Sequence, residues 1–198
     1  SMNNVFFADA RPRGLSADLS LPAKFRRLLQ KMDLGSSVRD RTVAVNLHLG
    51  GNLGYTTIHP VFIRILVEEC RAAGARRVSI MDGSVDGAEL RGYTELSVGA
   101  PLVSCFGATG KYVHRRKIGF LELQEAIYGG NAWDADVFID FSHVKGHGMC
   151  GFGGAIKNIA MGCVTSQTRG DIHRLQGGIA WDVQRCIRCG RCVAECPN

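Results

Sequence analysis

The apolar residues of this chain fall into short unbroken runs, separated by glycine loops and by stripes at helical spacing. Thr42-Val-Ala-Val-Asn-Leu-His48 is such a run and predicts a buried strand. A glycine loop, Leu49 to Tyr55, follows it. Pro60 then opens a helix whose apolar positions, Phe62, Ile63, Leu66, Val67 and Cys70, repeat up to Gly74. Arg77-Val-Ser-Ile-Met81 predicts the next strand, closed by Asp82-Gly83. Residues 42–82 thus form a strand–loop–helix–strand unit, which makes parallel strands with a right-handed crossover. Ala135 to Phe141 predicts a further strand, and Ala155 to Met161 a helix.

The flanks are weaker. Asn4 to Ala8 reads as a short first strand. Ser20 is an N-cap with Pro22 in the first turn, and Leu21, Phe25, Leu28, Leu29 and Met32 mark a helix that Gly35 should stop. Between residues 83 and 135, Pro101 to Cys105 reads as a strand, while Phe120 to Gln124 fits strand or helix equally. Residues 164–185 read as a polar connector containing His173. The expectation is an α/β domain over residues 1–180, built on a mostly parallel sheet flanked by helices. Neither an internal repeat nor a low-complexity tract interrupts it.

Open parallel sheets bind ligands beyond the carboxyl ends of their strands. That rule gathers His48, Asn52 and Asp82 on one rim with the segment Ser142-His143-Val144-Lys145-Gly146-His147-Gly148. Gly151-Phe152-Gly153-Gly154 then leads into the helix that carries Lys157 and Asn158. Glycines let backbone N–H groups approach a ligand, and a helix N-terminus favours negative charge. The rim therefore reads as an anion or cofactor cradle: His143, Lys145 and His147 are the candidate catalytic groups, and His48, Asn52, Asp82, Gly151, Gly153, Gly154, Lys157 and Asn158 the candidate binding groups. Blander readings stand beside these. His48 suits a satisfied core histidine, Lys145 a solvated loop lysine, and the glycines close helix–sheet packing. The run matches neither nucleotide-binding glycine fingerprint.

Composition narrows the class. Hydrophobic residues make up 45% of the chain, enough for a real core, and no apolar run approaches the roughly 20 residues that a membrane-spanning helix needs. Residues 1–20 hold Asp9, Arg11, Arg13 and Asp18 and no secretory signal, so a cytoplasmic, reducing compartment is expected. Ser1-Met2 reads as a residue left by tag removal before a natural start. The net charge of +6 comes with no nucleic-acid recognition motif, so an anionic small molecule or an acidic redox partner protein fits it better than nucleic acid.

The most specific signal lies at the end of the chain. Cys186, Cys189, Cys192 and Cys196, with Pro197, spell C-x2-C-x2-C-x3-C-P, the run of bacterial-type ferredoxins. Short gaps wrap the first three thiolates around one cluster, while the fourth points to another. Structural zinc usually takes two separated pairs and suits this crowding less. Residues 181–198 are expected to be the first half of a ferredoxin-like module, truncated after this run. Of the other cysteines, Cys70 and Cys105 read as core, and Cys163 is the first choice for a borrowed ligand.

The stretches Ser142 to His147, Gly151 to Cys163 and Cys186 to Pro197, with Val43 to His48, resemble the uncharacterised iron–sulfur centre proteins labelled domain of unknown function 362. The resemblance runs from about residue 42 to the end. It implies an α/β domain with two 4Fe–4S clusters in the whole protein, and it supplies no substrate. Two functions follow as expectations. One is an electron-transfer protein or redox enzyme acting on an anionic small molecule or cofactor. The other is a non-redox protein that binds a ligand or a metal cofactor and keeps a structural cluster.

Overall fold

The computed structural model describes residues 5–50, 55–148, 150–175 and 181–195. The apolar runs become the strands of one parallel sheet. They are β1 (Thr42–Asn46), β2 (Arg77–Asp82), β3 (Leu102–Ser104) and β6 (Val137–Asp140), in the order β3-β2-β1-β6. Their registers align Asn46 with Met81 and with Asp140, and Asp82 with Ser104, so the carboxyl ends share one edge. The expected α/β class is the observed one.

Side chains alternate across each strand, and each face has its own core. Val43 and Val45 of β1, with Val78 and Ile80 of β2, pack under α1 (Leu21–Lys31) and α3 (Pro60–Ala72). Ile63, Leu66 and Val67 of α3 are buried there, each contributing about 1.5–3 kcal/mol of hydrophobic stabilisation. Pro60 sits in the first turn of α3, where its missing N–H costs nothing, and the His59 ring caps the helix by accepting from the Val61 N–H at 3.2 Å. Arg26 pins α1 to α3 through Glu68 and Glu69, both at 2.6 Å. The opposite face carries Ala44, Met81, Cys105 and Cys163.

Three expectations need correction, and the open reading of Phe120 to Gln124 is resolved as strand. Residues 5–8 form no strand. Gly35 does not stop a helix, because Asp33 caps a second one, α2 (Leu34–Val38), through the Ser36 N–H at 3.4 Å. Phe120 and Leu123 belong to an antiparallel hairpin, β4 (Val113–Phe120) with β5 (Leu123–Gly129). The stretch read as a connector contains α7 (Ser166–Arg174), which packs on β5 where the Ile127 N–H donates to Thr168 Oγ1 at 3.0 Å. Three short helices, α4 (Glu95–Val98), α5 (Gly130–Trp133) and α8 (Arg191–Ala194), and two 3-10 turns, Ala17–Leu19 and Ala88–Arg91, complete the described elements together with the hairpin and helix below.

Candidate functional site

The chain leaves β1 toward β2 and β3 on one side and returns to pair β6 on the other, so the strand order reverses between β1 and β6. That is the crevice where doubly wound sheets hold ligands. A cavity of about 280 Å³ opens there. His48 comes from the end of β1, and Ser142 and His143 from the end of β6. The small hairpin β7 (Lys145–His147) and β8 (Gly151–Gly153) adds Lys145, His147 and Gly153, and α6 (Ala155–Gly162) adds Lys157 and Asn158.

Register explains how the hairpin serves the cavity. Lys145 lies opposite Gly153, and His147 opposite Gly151. Both cavity-facing side chains therefore face a partner with no side chain. A Cβ on Gly153 would sit 3.1 Å from Lys157 Cδ, so the stem of Lys157 fills the room that this glycine leaves. The two lysines are thereby brought into one cavity. The backbone N–H of Cys150 donates to His147 Nδ1 at 3.4 Å, which leaves Nε2 to carry the proton in the neutral ring.

Asn158 fixes α6 over the crevice. Its Nδ2 donates to the Asn46 carbonyl at 3.3 Å and to Asp140 Oδ1 at 2.5 Å, bridging β1 and β6. Ser142 Oγ donates to the same carboxylate at 2.7 Å. Asp82 accepts from the Leu49 N–H at 2.9 Å and the Gly83 N–H at 2.7 Å, and its Oδ2 lies 3.5 Å from His48 Nδ1. It orders the β1 loop rather than lining the cavity.

The cavity is cationic. Lys145, Lys157 and Arg169 line it together with three histidines. Gly154 begins α6 with no side-chain cap, so the first N–H groups of the helix add partial positive charge. Burial, then Lys157 and Arg91, hold the Lys145 amine below its ordinary range, against the pull of Asp82. Burial, then Lys145 and His48, lower His143 likewise, and its Nδ1 is buried without a partner among the described residues. Both effects favour the neutral form of the His143 ring.

The structure thus brings together His48, His143, Lys145, His147, Gly153, Gly154, Lys157 and Asn158. Gly151 lies in the hairpin, off the cavity wall. Asn52 and Cys196 lie outside the described residues. Cys163 is the C-cap of α6, next to Gly162 of the cavity wall but itself buried, 3% exposed, with its Sγ 3.9 Å from that of Cys105. A ligand role would require it to leave that core. Sequence reasoning missed Ser142 and Asp140 as a pair and Arg169 altogether. Thr165, the N-cap of α7 through the Thr168 N–H, was the available signal for Arg169.

The cysteine segment is a separate exposed loop. Arg188 and Gly190 both take left-handed backbone, φ 55° and 75°, which curls the chain around Cys186, Cys189 and Cys192. The Trp181 indole and then the Arg188 backbone N–H donate to Cys186 and lower its thiol. Ile187 and Val193 beside it are exposed, and Cys186, Cys189 and Cys192 are the candidate metal ligands of this segment. Among the described residues no three His, Cys, Asp or Glu side chains converge tightly enough to hold a metal ion. No described helix is long and apolar enough to cross a membrane.

No curated protein and no solved structure matches this chain. A family model matches residues 42–195, which span β1, the cationic crevice and the first three clustered cysteines. The chain belongs to the family described as domain of unknown function (DUF362).

Proposed function

We propose that this protein seats a small anionic molecule in the crevice between β1 and β6, and that its clustered cysteines carry an iron–sulfur centre which exchanges electrons with that molecule. The observation behind the reading is the concentration of charge: two lysines, Arg169 and an uncapped helix start share one cavity of about 280 Å³. Such a seat suits a carboxylate or a phosphate, since each ammonium–oxyanion hydrogen bond contributes about 1.5–3 kcal/mol. His143, whose proton affinity is lowered by burial and whose Nδ1 has no partner among the described residues, moves a proton to or from the bound molecule.

Cys186, Cys189, Cys192 and Cys196 are the thiolates that would hold the metal. Cys186, Cys189 and Cys192 would share one 4Fe–4S cluster and Cys196 would serve another, and such a cluster would supply one-electron chemistry. A redox partner protein would load it, and the basic residues of the loop, Arg185, Arg188 and Arg191, favour an acidic one. A cytoplasmic setting would keep these thiols reduced.

The experiment is anaerobic expression with iron and sulfide, followed by visible and paramagnetic-resonance spectra and mass spectrometry of any co-purified ligand. Broad visible absorption that bleaches with dithionite supports the reading. A folded, colourless protein that takes zinc instead would overturn its redox half.

A further inference from the structure

Two lysines in one cavity serve an anion without either being a nucleophile. Lys145, however, is placed differently from Lys157. Lys157 reaches the cavity along a stem laid over Gly153, whereas Lys145 rises directly from the β7 strand into the space opposite that glycine. Its charged neighbours come from every side. Lys157 stands on α6, Arg91 follows β2, His143 follows β6, and Asp82 on β2 is the acidic counterweight. A half-buried amine beside like charges spends more of its time unprotonated than a surface lysine, and an unprotonated amine attacks carbonyl carbon.

We propose that the Lys145 amine condenses with the carbonyl carbon of an anion-bearing aldehyde or 2-oxo acid seated in this cavity. The C–N bond forms, and the carbonyl oxygen leaves as water carrying the two protons lost from the amine. His143, whose buried Nδ1 has no partner among the described residues, passes protons between nitrogen and oxygen. No oxidant or reductant is needed for this step. The resulting imine, once protonated, draws electrons from the bonds next to the carbonyl carbon, an activation that a cationic seat alone does not provide. Lys157 and the start of α6 hold the anionic end. The inference rests on the anion-binding reading of the same cavity and narrows it to carbonyl compounds.

The test uses the full chain under anaerobic conditions, with glyoxylate and cyanoborohydride, read by peptide mass mapping. Cyanoborohydride delivers hydride to the imine carbon and leaves a carboxymethyl group on the reacting nitrogen. The expected result is one label on Lys145, formed at least tenfold faster than on the exposed Lys31 and Lys111 and slowed by inorganic phosphate. Propanal, which has no anionic end, labels Lys145 at least tenfold more slowly than glyoxylate. K145R keeps the charge but has no condensing amine, and it loses the label. Mapping in the unaltered chain answers the question even if that variant folds poorly. Labelling of Lys145 at the rate of Lys31, while phosphate still binds the cavity, overturns the carbonyl proposal alone. Failure of phosphate and glyoxylate alike to bind overturns the anion reading beneath it.

Discussion

Replacing Asn158 with alanine tests whether α6 is held across the crevice as the structure shows. The side-chain amide makes a 2.5 Å bond to the Asp140 carboxylate and a 3.3 Å bond to the Asn46 carbonyl. Neither acceptor is orphaned by its loss. Asp140 keeps Ser142 Oγ, and the Asn46 carbonyl keeps the Phe141 N–H at 2.8 Å. The cost is then the net worth of one charge-assisted bond and one long neutral bond, about 2 kcal/mol for a half-buried site. For a chain of this size that lowers Tm by roughly 4–8 °C, measurable by calorimetry. Asn158→Asp sharpens the test. It sets two carboxylates against each other, so at pH 7.5 it should be less stable than Asn158→Ala. A proton shared between the pair is held above the ordinary carboxyl range, so acidification restores stability to this variant as pH falls through that raised value. A Tm for Asn158→Ala within 1 °C of the parent, or an aspartate variant as stable as the alanine one at pH 7.5, would refute the bridging role.

Gly83→Ala places a Cβ about 2.9 Å from the Gly162 carbonyl oxygen, a backbone atom that cannot swing aside, and should cost about 1–3 kcal/mol, read from the urea midpoint. Sulfate, a dianion at every pH used, should bind more weakly as pH rises through the range of the free Lys145 amine, which lies below its ordinary value of 10.5. The sign follows from linkage: a bound anion favours the ammonium, so affinity is lost where the free amine has already lost its proton. Affinity should rise again below the depressed value of His143, itself under 6.5, where the ring gains charge. A flat profile between pH 5 and 10 would count against both groups facing the ligand. Cys186→Ala, removing the thiol that Trp181 and Arg188 favour as thiolate, should cut iron retained after anaerobic desalting to under half. Retention at the parent level would remove Cys186 from the cluster.

The central unit was legible because its strands are buried on both faces and so read as unbroken apolar runs. Thr42–Asn46 and Arg77–Asp82 are flanked by a helix with one clear apolar stripe. The residues of the crevice were legible as a local run, Ser142 to Asn158, because β6, the β7–β8 hairpin and α6 follow one another directly. Other parts were hidden for physical reasons. Strand β4 carries His114-Arg115-Arg116-Lys117 and buries none of its residues fully, so it shows no alternation. Its stability comes from pairing with β5, where Ala126 and Ile127 are buried. Helix α7 buries only Thr168 and is held by a hydroxyl–backbone bond rather than by an apolar stripe, so hydrophobic period could not reveal it, nor the Arg169 that it brings to the cavity. Gly35 misled because glycine often ends helices, yet the carboxylate of Asp33, two residues earlier, starts one.

The most direct measurement is a calorimetric titration of inorganic phosphate into the anaerobically iron-loaded chain and into its Lys157→Met variant at low salt. Methionine keeps the stem that fills the space over Gly153 and deletes only the charge. One charge-assisted bond of about 1.5–3 kcal/mol corresponds to a loss of roughly 10- to 150-fold in affinity. The account predicts saturable one-site binding to the parent chain and a rise in Kd within that range for the variant. Equal affinities, or no saturable binding to either protein, would contradict it.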